Sequence, residues 1–305
     1  MSRGPAGLEE LLGWPVGRVA DWVAGNPEPL VVGWPFNGTR RWFVGYRRGH
    51  AGTADYLSTL VRRQAEFHGM LLDHGVSVVL APSFGELNLD RGEEYARHAL
   101  GGIVGMATDE AYADLFRRGV RVRFYGDYRR TLARPGYRKV LEACDEIEAS
   151  TAQGGGPLIL VGLFADKAHG AVARLAVELF EQTGEPPDRA TLIEAYYGVP
   201  VGDLGFFVGF EQPQLFDVPL LTTGLEDLYY TLNPTPEVDE AQLRAILYDH
   251  LVVRRRPEIE YEKLPEKAQR RLVEANRSHG VVGLGRVDPL TGAWRPVLPE
   301  GDDPR

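Results

Sequence analysis

A glycine and two adjacent arginines stand close together in the stretch Phe36, Asn37, Gly38, Thr39, Arg40, Arg41, Trp42. The stretch directly follows a short apolar run, Leu30, Val31 and Val32, that reads as a strand. Glycine at the mouth of a strand lets backbone N–H groups come close to an anion. Guanidinium groups beside it add charge-assisted, bidentate hydrogen bonds to phosphate oxygens. The chemistry that suits this pattern is the binding of a phosphate or diphosphate. A surface turn with solvated arginines and a packed tryptophan uses the same residue types, and composition alone leaves both readings open.

Other reactive residue types are more scattered. Tyr56 falls in a helical stretch, where its ring can steady a cation and its hydroxyl can steer water, or where it simply packs. His68 and His74 lack the spacing and the acidic partner of a helical zinc site. The three glycines at 154–156 precede a strand instead of following one, so they do not form a phosphate cradle of the usual kind. The arginines at 254–256 end a helix and read as a solvated run that complements its dipole. Cys144 is the single cysteine, which excludes an internal disulfide and a cysteine-rich zinc site and points to a reducing, cytoplasmic setting.

These residues need a frame to hold them. Apolar runs alternate with helical patterns along the chain. A helix is expected over 53–74, stopped by Gly75, and a buried strand over 76–81. Asp90 and Glu93 have the spacing of a capping box that opens the next helix. Helices over 108–118, 137–149 and 169–183 alternate with strands over 120–125 and 157–164. Further short strands fall at 204–210 and 228–231. Asp239 and Gln242 cap a helix whose Leu243, Ile246, Leu247 and Leu251 share one face. Residues 280–297 read as a hairpin and 298–305 as a frayed tail.

Strands that alternate with crossover helices imply an α/β fold, a single domain with a mainly parallel central sheet of about six strands flanked by helices. In such sheets ligands sit at the carboxyl ends of the strands. The chain has 305 residues, 44% hydrophobic and 25% charged, enough for one sizeable core. A net charge of -9 argues against a general nucleic-acid binder, which needs a basic surface. No apolar stretch is long enough to span a bilayer, and the first residues lack the pattern of a signal peptide.

The arginine loop resembles the Asp-Gly-Asn-Gly-Arg-Trp diphosphate loop of the cis-prenyltransferases. The likeness continues in chain order. Gly49, His50, Ala51 and Gly52 resemble the family's Gly-His-x-x-Gly. The strand over 120–125, followed by Gly126 and Asp127, resembles its Arg-(apolar)-Gly-Asp strand end. Asp227, Leu228, Tyr229 and Tyr230 resemble its Glu-Leu-Tyr-Phe. A narrower likeness, spanning about 30–295, is to bacterial diterpene synthases of the tuberculosinol type, the tuberculosinyl adenosine transferases. It rests on the segments 35–43, 124–128, 196–198, 216–221 and 246–250.

The resemblance implies the Z-prenyl synthase fold, with an N-terminal helical segment at 1–29, a catalytic domain at 30–297 and a flexible tail at 298–305. It implies a homodimer and an allylic prenyl diphosphate substrate, a bicyclic diterpenyl one in the narrower group. Ionisation would be followed by capture with water or a nucleoside. Gly38, Thr39, Arg40, Arg41 and His50 would bind the diphosphate, while Asn37, Tyr56 and Arg40 would serve catalysis. Magnesium would be held at Asn37 and Asp227.

Two departures stand out. The family's loop aspartate is Asn37 here, nearly isosteric but unable to act as a base and a poorer magnesium ligand. Either activity has moved to other groups, or the substitution traps a bound substrate. The stretch 209–216, where chain-elongating relatives carry arginines for a second diphosphate, has none. That favours one diphosphate with a non-ionic co-substrate. The alternatives are a chain-elongating enzyme that uses isopentenyl diphosphate and a non-catalytic prenyl-diphosphate-binding subunit.

Overall fold

The structure, a computed structural model, describes residues 4–46, 54–255, 259–278 and 281–297. The motif around His50 lies outside them. The chain begins with α1 (Leu8–Leu12) and α2 (Val16–Ala24), then enters β1 (Val31–Gly33), α3 (Thr39–Tyr46) and α4 (Ala54–Asp73). β2 (Val78–Phe84) leads through α5 (Glu86–Leu89) into α6 (Glu93–Thr108) and α7 (Glu110–Arg117). β3 (Arg121–Tyr125), α8 (Tyr128–Thr131), α9 (Arg138–Thr151) and β4 (Leu158–Leu163) follow. Next come α10 (Ala168–Thr183), α11 (Arg189–Tyr197), β5 (Phe206–Phe210) and β6 (Asp227–Thr231). α12 (Glu240–Tyr248), α13 (Glu266–Ala275) and the hairpin β7 (Gly285–Val287) and β8 (Trp294–Pro296) complete the order.

The central sheet has six strands in the order β3-β4-β2-β1-β5-β6, every pair parallel. Residues alternate between its faces, as the strand period requires. Val32, Val79, Val122, Ile159 and Phe206 join the larger core beneath α4, α6 and α9. Val31, Leu80, Tyr125, Leu160 and Phe207 join a smaller one on the opposite face. The expected single α/β domain with a parallel six-stranded sheet is what the structure shows.

Several boundaries differ from expectation. Asp90 and Glu93 form no capping box: Asp90 closes α5, and Gly92 precedes α6 with no side-chain cap. One expected helix start moves as well, because the Asp109 carboxylate accepts from the Ala111 N–H and opens α7 there. α11 was not anticipated, although Asp188 caps its start and Gly198 adopts φ 73 at its end. Its polar and apolar residues follow no clear period. α12 starts as expected, with Asp239 accepting from the Gln242 N–H at 2.9 Å. Among the described residues no helix is long and apolar enough to cross a membrane.

Candidate active site

β1 lies between β2 and β5, so the loop leaving it sits where neighbouring connections diverge to opposite sides. That switch point is the usual ligand position in such sheets. The loop is fastened from across the sheet by Thr235, in the 3-10 turn Thr235–Glu237 after β6. The Thr235 N–H donates to the Asn37 carbonyl at 3.1 Å and its hydroxyl to the Pro35 carbonyl at 3.2 Å. The Asn37 N–H in turn reaches the Thr235 hydroxyl at 3.1 Å. Beyond the loop, the Trp42 indole N–H donates to Glu237 of the same turn.

Gly38 is the residue that makes this closure possible. Its φ is 76, in the left-handed region. A Cβ there would meet Pro234 Cβ at 2.6 Å and Phe210 Cε1 at 2.8 Å. The Asn37 N–H is occupied by Thr235, so it does not face an anion. The first N–H groups of α3 are the ones available, because a helix start has no intrahelical acceptor for them.

The two arginines are not equivalent. Arg40 is exposed beside the Tyr95 ring, 5.7 Å away, with no carboxylate partner among the described residues. Arg41 donates to both oxygens of Glu211 at 2.9 and 2.8 Å and lies 4.7 Å from the Phe210 ring. Glu211 is only 6% exposed and also accepts from Arg295 of β8 at 2.6 Å. The sequence suggested two free cations at the loop, and the structure leaves Arg40 free and commits Arg41 to Glu211.

Behind the loop, a cavity of about 170 Å³ opens between α4 and α6, lined by both apolar and polar side chains. Asn37 and Thr39 of the loop line it, together with Leu57 and Leu60 of α4, Ile103 of α6 and Phe84 at the end of β2. A Cβ at Gly105 of α6 would stand 2.8 Å from Val61 Cγ2, so a glycine there lets the two helices approach. Further along α4, the Phe67 ring packs beneath the loop, with ring centroids 5.2 Å from Trp34 and 5.7 Å from Phe36.

Tyr56 lines the cavity, its hydroxyl 3.2 Å from the Thr39 hydroxyl. Burial raises its pKa above the ordinary phenol value, against the opposing Thr39 hydrogen bond, so it stays protonated at neutral pH. His98 of α6 was missed. Its ring stacks on Tyr56 at 6.3 Å and 12°, and its buried Nε2 has no partner among the described residues. The helical spacing of Tyr95, His98, Gly102 and Met106, all lining the cavity, was the available signal.

Asp227 corrects an expectation. It is the first residue of β6, paired with Phe206, whereas Gly38 packs near Phe210, four residues further along β5. That is about 13 Å along the strands at ~3.3 Å per residue. Its oxygens meet His250 Nδ1 at 2.7 Å and Arg254 Nη1 at 3.1 Å. Asp227 and Asn37 therefore do not share a metal site.

The two other buried histidines are structural. His68 sits 3.3 Å from the Tyr112 hydroxyl, and burial pushes its pKa down to about 3. His74 contacts the Met70 carbonyl at 2.8 Å and accepts from Arg244. Burial also pushes the Cys144 thiol up to about 12, which makes it a poor nucleophile.

No family model matches the chain. It is 35% identical over 259 residues to tuberculosinyl adenosine transferase of Mycobacterium tuberculosis (strain CDC 1551 / Oshkosh), covering 84% of this chain and 86% of that protein. Among solved structures it resembles lavandulyl diphosphate synthase from Lavandula x intermedia in complex with dimethylallyl diphosphate. The TM-score is 0.61 at 15% identity, over 76% of this chain and 97% of that one. A probable undecaprenyl diphosphate synthase from Campylobacter jejuni matches with a TM-score of 0.55 at 16% identity, over 77% and 98%. The two structures speak for the fold, and the first relative for the family. The chain belongs to the family of tuberculosinyl adenosine transferase and has the fold of the two prenyl diphosphate synthases.

Proposed function

We propose that the chain ionises an allylic diphosphate, a bicyclic diterpenyl one, and passes the cation to water or a nucleoside. The observation that supports this most is that Asn37 and Thr39, in the same loop as the exposed cation Arg40, also line the cavity between α4 and α6. The diphosphate rests on Arg40 and the first N–H groups of α3. The terpenyl tail lies between α4 and α6. The C–O bond breaks with its electron pair leaving on the diphosphate, whose charge Arg40 stabilises. The ring faces of Tyr56 and His98 stand beside the cavity where the cation forms.

The residues at the loop do not build a magnesium site by themselves. Asn37 offers a neutral amide oxygen, and the carboxylate lining the same cleft, Glu211, is already held by Arg41 and Arg295. The steps above use only the chain's own groups. We further propose a homodimer in the cytoplasm. The dimer fits the half-exposed apolar side of α10, where Val177 and Phe180 are 56% and 47% exposed.

The test is product mass spectrometry with geranyl, farnesyl, geranylgeranyl and bicyclic diterpenyl diphosphates, with and without adenosine, for this chain and for Asn37→Asp. Release of diphosphate with a terpenyl alcohol or adduct is expected, and loss of release in the Arg40→Ala, Arg41→Ala double variant. Chain extension with isopentenyl diphosphate refutes the reading. Binding without release by either protein points instead to a non-catalytic subunit.

A further inference from the structure

The resemblance to the cis-prenyltransferases implies magnesium at the diphosphate, and the donors of this chain do not fit it. Among the described residues no carboxylate lines the cavity between α4 and α6, whose polar side chains are amides, hydroxyls and one imidazole. A second space that Asn37 lines, an open cleft of about 430 Å³, has the carboxylate of Glu211, which Arg41 and Arg295 already hold at 2.8 and 2.6 Å. Glu237 accepts from the Trp42 indole, and Asp227 is bonded to His250 and Arg254 at the far end of β6. Nowhere among the described residues do three His, Cys, Asp or Glu side chains gather to hold a metal ion. A magnesium ion on a substrate phosphate is held to a protein by one or two carboxylates. We infer that the loop binds its diphosphate without a divalent metal: the Asn37 side-chain amide donates directly, and Arg40 and Arg91 carry the charge. This deepens the reading proposed above and rests on it for the ligand being a diphosphate.

Asn37 is prepared for that contact. Its backbone N–H and carbonyl are committed to Thr235, both at 3.1 Å, which fixes the residue in place. Its side-chain amide makes no hydrogen bond among the described residues. A carboxamide has two N–H donors, and an ionised carboxylate has none. An aspartate here would set a negative charge against the diphosphate and require a cation between them. The amide turns that repulsion into a donated hydrogen bond.

The positive charge is already in the chain. Arg40 of α3 and Arg91, in the turn between α5 and α6, come to the same ring, with their guanidinium carbons 5.7 and 5.2 Å from the centroid of Tyr95. Arg91 also donates to the Tyr95 hydroxyl at 2.9 Å, and Tyr95 lines the cavity with Asn37. Both arginines are exposed, and neither has a carboxylate partner among the described residues. A guanidinium is charged at every working pH and matches phosphate oxygens two at a time. Two of them at one ring, beside the first N–H groups of α3, supply the charge that an ion would otherwise bring.

Isothermal titration calorimetry with inorganic pyrophosphate, once in excess EDTA and once in excess magnesium chloride, tests this without turnover. The chain should bind at least as tightly in EDTA, because magnesium in solution only competes for the pyrophosphate. Asn37→Asp should bind about tenfold or more weakly in EDTA, since a charge replaces a donor, and magnesium should restore its affinity. Arg91→Ala should lose about tenfold in EDTA with its urea midpoint unchanged. Binding that requires magnesium overturns the inference, as does parent-level affinity in EDTA for Asn37→Asp or Arg91→Ala. Pyrophosphate bound in neither buffer overturns it together with the diphosphate reading. Metal-indifferent binding with no diphosphate release from any allylic diphosphate leaves it standing and strikes only the ionisation.

Discussion

Gly38→Ala probes the geometry on which the loop depends. Two costs add if the loop stays in place. Forcing alanine to φ 76 costs about 1–3 kcal/mol in backbone strain. The new methyl also meets Pro234 at 2.6 Å and Phe210 at 2.8 Å. That overpacking adds about 1–3 kcal/mol. The alternative is for the loop to move. It would then lose the three hydrogen bonds through Thr235, each worth about 0.5–1.5 kcal/mol. The two routes cost similar amounts, so a loss of about 2–4 kcal/mol is expected by either. In urea denaturation this lowers the midpoint by about 1 M at a slope of ~3 kcal/mol/M. Pyrophosphate affinity, read by calorimetry, should fall with it. Gly92→Ala is the control. Its φ is 100, but no atom lies within 4 Å of the added Cβ, so only backbone strain applies. Gly38→Ala must therefore be the more damaging. Equal midpoints for the two variants, or wild-type pyrophosphate affinity in Gly38→Ala, would refute the geometry argued for the loop.

The arginines should separate cleanly. Arg40→Ala should change stability by less than about 0.5 kcal/mol yet weaken pyrophosphate binding ~10-fold or more, whereas Arg41→Ala should lower the denaturation midpoint because Glu211 loses a partner. Gly102→Leu places a side chain in the cavity between α4 and α6. Competition binding should then show loss of geranylgeranyl diphosphate with shorter allylic diphosphates retained. Burial, with Asp166 nearby, pushes the Asp217 pKa up to about 6. The folded protein therefore holds this proton more tightly than the unfolded chain. The group's contribution is full below about pH 4 and is lost as pH rises through about 6. In Asp217→Asn the fall in stability between these limits, followed by denaturation at each pH, should be smaller.

Periodicity and capping carried much of the fold in the amino-acid order alone. Alternating strands and helices require a parallel sheet, and Asp239 and Gly75 mark helix ends through chemistry that needs only near neighbours. The loop was legible for the same reason, since glycine and arginine next to a strand end are local facts. What tertiary structure decided were the partners. Arg41 reads as free until β5 and β8 bring Glu211 and Arg295 to it across separations of 170 and 254 residues along the chain. His98 is one polar residue on a helix until α4 sets Tyr56 against it. Asp227 matches a motif by type, yet the register of β6 with β5 sets it one strand-length from the loop. Residue type limits which bonds a side chain can make. Which of them it makes depends on long-range packing, where burial penalises every charge left without a partner.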